Sequence, residues 1–301
     1  MKNKKWIALS LSMILILALA AGCSVNTKAP VDAAYSVTDS QQRVLTFESV
    51  PGKVVSLAPT VTEIIFALGA ESTLAARTDW CNYPDEVQSY ASVGNMDMPD
   101  VEKIISLGPD VVFLSEMTKK EIADQLANAG ITYMVVKNED SLEGAYQSIG
   151  MVAMALGKTA EGDAIVAGMK QKVEKVMEIV RDAPKPTVYY VMGFGEYGDY
   201  TAGKGTFISE MIRLAGGINV ANDTEGWSYS LEKIIEHNPD ILICSLYSPP
   251  DQIREANGYK TLDAVKNNRM HVINDDMLQR LGPRLADALE ELARALHPDL
   301  F

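Results

Sequence analysis

The chain has 301 residues, a formal net charge of −13 and 47% hydrophobic residues, with mean hydropathy close to zero. This is the composition of a globular protein long enough for two cores, not of a disordered or fibrous chain. The excess of acidic over basic side chains excludes a protein built to grip nucleic acid, which depends on clustered Lys and Arg.

Lys2, Lys4 and Lys5 precede an apolar run from Trp6 to Ala20, and the run closes on Ala21-Gly22-Cys23. A basic start, a short apolar stretch and small residues at the end form an export signal, and the stretch falls short of the ~20 residues of a bilayer span. Small residues directly before a cysteine predict cleavage ahead of Cys23 and lipid on its thiol. Residues 1–22 are then the lipoprotein signal peptide, and losing its three lysines takes the charge from −13 to −16. Residues 23–34 are small and polar without hydrophobic period, a lipidated tether spanning on the order of 18 Å. The folded part therefore sits at the outer face of the cytoplasmic membrane.

A strand pair is predicted over Tyr35–Val37 and Arg43–Phe47, turning at Asp39-Ser40. Short β-rich runs then alternate with helical patterns: strands at Val54–Leu57, Val111–Leu114 and Thr132–Val136, and helices centred on 61–68, 100–107 and 118–129. Such alternation marks parallel βα units. From Ser141 to Ala183 the pattern is helical, broken at Gly157, and Pro184 and Pro186 stop it. The stretch 159–183 reads as one helix ~37 Å long. A second βα series follows, with strands at Val188–Met192, Ile241–Cys244 and Met270–Ile273, a helix near 206–215 and a last helix from Pro283 to Leu296. The simplest assembly is an N-terminal α/β lobe over 35–157, a connecting helix over 158–184 and a C-terminal α/β lobe over 185–301.

An internal repeat supports the division. Thr62-Glu63-Ile64-Ile65, Leu68-Gly69 and Trp80 recur 147 positions later as Ser209-Glu210-Met211-Ile212, Ala215-Gly216 and Trp227. Glu102-Lys103-Ile104-Ile105 with Pro109-Asp110 recurs 130 positions later as Glu232-Lys233-Ile234-Ile235 with Pro239-Asp240. The first copy thus carries 17 extra residues between its tryptophan and its glutamate.

Gly193, Gly195 and Gly198 spell GxGxxG after a predicted strand, but the next helix starts near Thr206, so no helix N-terminus is placed to hold a pyrophosphate. No HExxH, GxSxG or phosphate loop is present, and His237, His271 and His297 are far apart. The reading is not an enzyme and not a bare metal receptor, with no resident cofactor. Cys81 and Cys244 are expected to stay free. Trp80 and Trp227 occupy the same loop in each copy and would offer flat apolar faces to a large planar ligand, with Tyr83 beside them. Glu102 and Glu232 follow the N-cap residues Asp100 and Ser230; a first-turn carboxylate favours the helix dipole, and two exposed acids suit docking on a two-fold partner.

Lys53 to Glu63, Arg77 to Pro84, Val101 to Asp110 and Gly282-Pro283-Arg284 resemble the helical-backbone solute-binding proteins of cobalamin, ferric siderophore and haem importers, in order from about residue 36 to 301. That resemblance implies two Rossmann-like lobes joined by a single long α-helix, a ligand cleft between them, and a monomer docking on an ABC permease dimer with its ATPase subunits through Glu102 and Glu232. It is nearest to the cobalamin-binding branch, where aromatic residues of both lobes sandwich a corrin. Trp80, Tyr83 and Trp227 fall at matching places, but Gly94-Asn95-Met96 stands where that branch carries another tryptophan. Ferric siderophores would draw on Arg77, Lys204 and Arg280, and haem would need an axial ligand such as Tyr83. A ligand sensor without a transport role, and an exported enzyme on the same scaffold, are the alternatives of other classes.

Overall fold

The computed structural model describes residues 34–136, 140–196 and 198–301, which form one compact unit from Ala34 to Phe301. The signal peptide, Cys23 and nearly all of the tether lie outside the described residues. The chain opens with an antiparallel pair, β1 (Tyr35–Thr38) and β2 (Val44–Phe47). Its turn is organised by Asp39, whose carboxylate accepts from the Gln41 and Arg43 amides and pairs with the Arg43 guanidinium.

Two parallel sheets follow. The first has the order β5-β4-β3-β6-β7, built from β3 (Val54–Ser56), β4 (Leu74–Arg77), β5 (Ala91–Ser92), β6 (Val111–Ser115) and β7 (Tyr133–Val136). The second has the order β10-β8-β12-β13, from β8 (Thr187–Val191), β10 (Ile218–Asn219), β12 (Ile241–Cys244) and β13 (Met270–Val272). A small antiparallel ribbon, β9 (Asp199–Tyr200) with β11 (Ser228–Tyr229), stands apart from both. In the first sheet β3 is central, with β4 and β5 on one side and β6 and β7 on the other; in the second β8 is internal, with β10 on one side and β12 and β13 on the other. The chain reverses across the sheet at β3 and at β8, and such reversal points are where α/β sheets bind ligands, beyond the strands' carboxyl ends. All four residues of β12 are buried, as are Val111 to Leu114 of β6, which is why these strands read as unbroken apolar runs.

The helices cover the sheets. They are α1 (Pro59–Ala67), α2 (Val101–Leu107), α3 (Lys120–Asn128), α4 (Leu142–Ala155), α5 (Thr159–Val180), α6 (Phe207–Leu214), α7 (Leu231–His237), α8 (Pro250–Glu255), α9 (Asp263–Lys266), α10 (Asp275–Gln279) and α11 (Leu285–Leu296). Long α5 joins the two lobes and packs on α4 before it and on α11 after it, burying Met169, Val173, Val176 and Val180. Gly157 has φ +64° and makes the break between α4 and α5; a β-carbon there would stand 2.8 Å from a Val50 methyl, so the turn needs glycine on both grounds. The structure ends α5 at Val180, three residues before the expected end. Pro184 disfavours helical backbone at Ala183, and the Arg181 and Ala183 amides bond three residues back instead of four. The last helix begins at Leu285 rather than Pro283, because Arg284 sits at its N-cap. Cys81 and Cys244 are both free and buried, as expected.

The repeat is structural. Asp100 and Ser230 cap α2 and α7 by accepting from the Lys103 and Lys233 amides, and both helices end on a left-handed residue, Gly108 and Asn238. Asp110 accepts from the Lys53 amide ahead of β3, and Asp240 from the Thr187 amide at the start of β8.

Candidate functional site

The loops beyond the carboxyl ends of the parallel strands carry an unusual set of solvent-facing apolar side chains. Trp80 and Tyr83 follow β4, Met98 follows β5 and Met117 follows β6; in the second lobe Tyr200 lies on β9, Trp227 directly precedes β11, and Leu246 and Tyr247 follow β12. Trp80 is 52% exposed and Trp227 46%, so neither ring is packed beneath its own loop. Exposed aromatics gathered where α/β sheets bind ligands are the mark of a site for a large apolar surface.

Each ring is held by its backbone. The Trp227 carbonyl accepts from the Thr201 amide at 2.9 Å, and the neighbouring Gly226 carbonyl accepts from the Gly203 amide at 2.8 Å. Gly203 permits this approach: a β-carbon there would lie 2.4 Å from the Thr224 carbonyl oxygen and 2.6 Å from that of Gly226. Of the GxGxxG glycines, Gly193 exchanges backbone bonds with Tyr200 of the same ribbon and the Gly198 amide donates to the Gly195 carbonyl, and among the described residues the next helix begins only at Phe207. Those glycines therefore shape a loop at the site, not a phosphate cradle.

On the other side, buried Cys81 wedges the Trp80–Tyr83 loop against the first lobe, its sulfur 3.1 Å from Thr62 Oγ1. The Tyr83-Pro84 peptide is cis, and Tyr83 is 43% exposed with the Arg284 guanidinium 3.8 Å over its ring. A cavity of about 710 Å³ opens beside Tyr83, walled by Phe66, Pro84, Tyr90, Pro283 and Arg284 among others. Neither Trp80 nor Trp227 lines it; they stand on the open surface.

The three candidate cations differ in their surroundings. Arg77 is 7% exposed and donates to the Val87 and Thr78 carbonyls and to Gln88, so it braces its own lobe. Arg280 faces Glu63 at 2.9 Å and Asp276 at 2.8 Å and donates to Asn82 Oδ1 and the Trp80 carbonyl. Its charge is directed at protein groups. Lys204 is exposed. Among the described residues no group of three or more His, Cys, Asp or Glu side chains is placed to hold a metal ion.

Asp275 anchors the second lobe's edge. Its carboxylate accepts from the Tyr190 hydroxyl, from Ser245 Oγ at 2.9 Å and from the Leu246 amide at 2.8 Å. Burial, and then the nearby Asp275 charge, push the Tyr190 phenol far up. Asp199 on the ribbon is raised above the usual carboxylate range by burial, though the Tyr259 hydroxyl donates to it at 2.6 Å.

Glu102 and Glu232 are exposed in the first turns of α2 and α7, and each helix shows an exposed isoleucine one turn on, Ile105 and Ile235. Spacing of three puts each acid and its isoleucine on one face. Lys103 and Lys233 both fold back onto the preceding loop, bonding the Ser92 carbonyl and the Asp223 carboxylate respectively.

A family model described as periplasmic binding protein matches residues 54–277. An uncharacterized ABC transporter substrate-binding lipoprotein, YvrC, of Bacillus subtilis is 34% identical over 274 residues, covering 88% of this chain and 86% of the relative. A cobalamin-binding protein of Halobacterium salinarum is 27% identical over 279 residues, covering 86% of this chain and 73% of the relative. Among solved structures, the apo periplasmic heme-binding protein RhuT from Roseiflexus superposes with a TM-score of 0.74 at 28% identity, covering 82% of this chain and 98% of that one.

Proposed function

From the premise that this chain belongs to the periplasmic binding protein family, the extracytoplasmic, non-enzymatic solute receptors of ABC importers, we propose that it captures a corrinoid such as cobalamin and hands it to its permease. The observation that carries the reading is the pair of half-exposed tryptophans, Trp80 and Trp227, one beyond the strand ends of each lobe. Two such faces sandwich a broad, flat, mostly apolar ligand, and the exposed Met98, Met117, Leu246 and Tyr247 extend the apolar surface around it. The relative that binds cobalamin supports the same ligand.

Haem is the second reading, favoured by the exposed Tyr83 phenol and by the likeness to a heme-binding protein. A ferric siderophore is the weaker reading, because of the three cations it would draw on Arg77 and Arg280 are committed to protein partners and Lys204 is exposed. Any metal arrives inside the chelate.

Cys23 is the proposed lipidation site, holding the receptor at the outer face of the membrane. Among the described residues no helix is long and apolar enough to cross it. Glu102 and Glu232 are the proposed contacts to the permease, each with its isoleucine on the same face, so that a basic pocket with an apolar rim would receive each helix.

The test is tryptophan fluorescence of a soluble form, residues 24–301, titrated with cyanocobalamin, haemin and ferric siderophores under inner-filter controls. Saturable quenching by cyanocobalamin that vanishes in Trp80→Ala and in Trp227→Ala is expected. Tight haemin binding without any response to cyanocobalamin would overturn the corrinoid reading.

A further inference from the structure

One buried carboxylate joins the lobes, and the site as described leaves it without a role. Glu63 on α1 is 4% exposed. Its Oε1 accepts from Arg280 Nη1 at 2.9 Å and Arg284 Nη2 at 2.7 Å, and its Oε2 from Arg284 Nε at 2.8 Å. Both arginines come from the second lobe, between α10 and α11. Burial works against the Arg284 charge, but the Glu63 carboxylate more than offsets it and the pKa is raised. Gly282 lies between the arginines and against the first lobe; a β-carbon there would meet Thr60 Cγ2 at 3.4 Å.

The same arginines hold the aromatic loop. Arg280 donates to the Trp80 carbonyl at 3.3 Å and to Asn82 Oδ1 at 2.6 Å, while Asn82 donates to Asp276 Oδ2 at 3.1 Å. Arg284 lies over the Tyr83 ring. Behind them Asp275, bonded to groups of β8 and to residues just past β12, seats α10 and hence Arg280 on the second sheet. An unbroken chain of bonds thus runs from the core of one lobe to the ligand-facing loop of the other.

We infer that Glu63, Arg280 and Arg284 are positioning residues that form an interlobe latch, fixing the Trp80–Tyr83 loop at the cleft edge before ligand arrives. The Thr62-Glu63 and Gly282-Pro283-Arg284 segments are then two halves of one device. A receptor whose platform is set in advance loses no affinity to ordering it at the moment of binding. The inference rests on Trp80 facing ligand, as proposed above.

The soluble form retains two of the chain's three tryptophans, since Trp6 lies in the signal. With Trp227→Phe added, Trp80 alone emits, and its anisotropy reports the loop directly. Glu63→Gln is expected to lower that anisotropy with far-UV circular dichroism unchanged. In the background with Trp227 present, it is expected to weaken cyanocobalamin binding roughly tenfold, the scale of one lost pre-organisation step. Arg280→Lys serves as a second variant if Glu63→Gln does not fold. A lysine ammonium reaches Glu63 but lacks the planar fork to hold Asn82 and the Trp80 carbonyl together, so the anisotropy should fall here too. Unchanged anisotropy in the folded variant overturns the latch. Trp80→Ala with unchanged cyanocobalamin affinity would instead sink the corrinoid platform, and the anisotropy would still decide the latch.

Discussion

Replacing Gly203 with alanine tests how the structure places Trp227. The new β-carbon would stand 2.4 Å from the Thr224 oxygen and 2.6 Å from the Gly226 oxygen. Against an ordinary contact the shortfall is about 1 Å, and both obstacles are backbone, so no side chain can swing away. The segment from Thr224 to Trp227 must retreat, weakening the Gly203–Gly226 and Lys204–Thr224 hydrogen bonds, now 2.8 and 2.7 Å. Overpacking of this kind costs ~1–3 kcal/mol and each weakened bond a fraction of about 1 kcal/mol, so roughly 2–4 kcal/mol in all. A Tm lower by roughly 5–12 °C follows for a domain of this size. Gly168→Ala is the control of opposite sign: it lies within α5, meets nothing within 4 Å and should stabilise by about 0.5–1 kcal/mol. Urea unfolding followed by circular dichroism, with cyanocobalamin titrations on the same proteins, gives both numbers. A Gly203→Ala protein as stable as its parent, with unaltered affinity, would refute the claim that glycine is what lets the ribbon carry Trp227 where it stands.

The double variant Glu102→Ala, Glu232→Ala should abolish uptake by cells while leaving ligand affinity intact; equal uptake would remove the docking proposal. Asp240 is held below the usual carboxylate range by the Thr187 amide and hydroxyl that donate to it. A depressed carboxylate contributes stability above its unfolded pKa, so that contribution is present at neutral pH and lost as the pH falls below about 4. Asp240→Asn should therefore lower stability at neutral pH and narrow the gap to the parent in acid, measured by urea midpoints across the pH range. Burial pushes the Cys244 thiol up to about 12, and Cys81 is 1% exposed. A thiol reagent added to the soluble form should titrate neither cysteine in the native state and both in denaturant; one fast thiol in the native protein would contradict the burial.

The central strands were legible because burial on both faces leaves apolar runs, and the long helix because its 22 residues keep an apolar helical period over about six turns. Leu74–Arg77 and Ala91–Ser92 were not: alanine is a poor strand former, and these two owe their pairing to the neighbouring sheet. Trp80 and Trp227 could be found by the repeat alone, since tryptophan in a loop is conspicuous. Met98, Met117, Leu246 and Tyr247 gave no such signal, because an exposed apolar residue and a core one look alike without neighbours. The partner of Arg280 was not legible, because Glu63 lies 217 positions away and looks like any carboxylate on an amphipathic helix.

The apolar rings beyond the strand ends have a price in crowding. A site that presents Trp80, Trp227, Met117 and Tyr247 to solvent is also sticky, and patches of that kind draw neighbouring molecules together. The acidity of the chain, a formal charge of −13, counters this, since like-charged copies repel before their rings can touch. That repulsion reaches only about a Debye length, some 8 Å at physiological salt. The acidity that first excluded a nucleic-acid partner thereby keeps the mouth of each molecule open to solute and closed to its own kind.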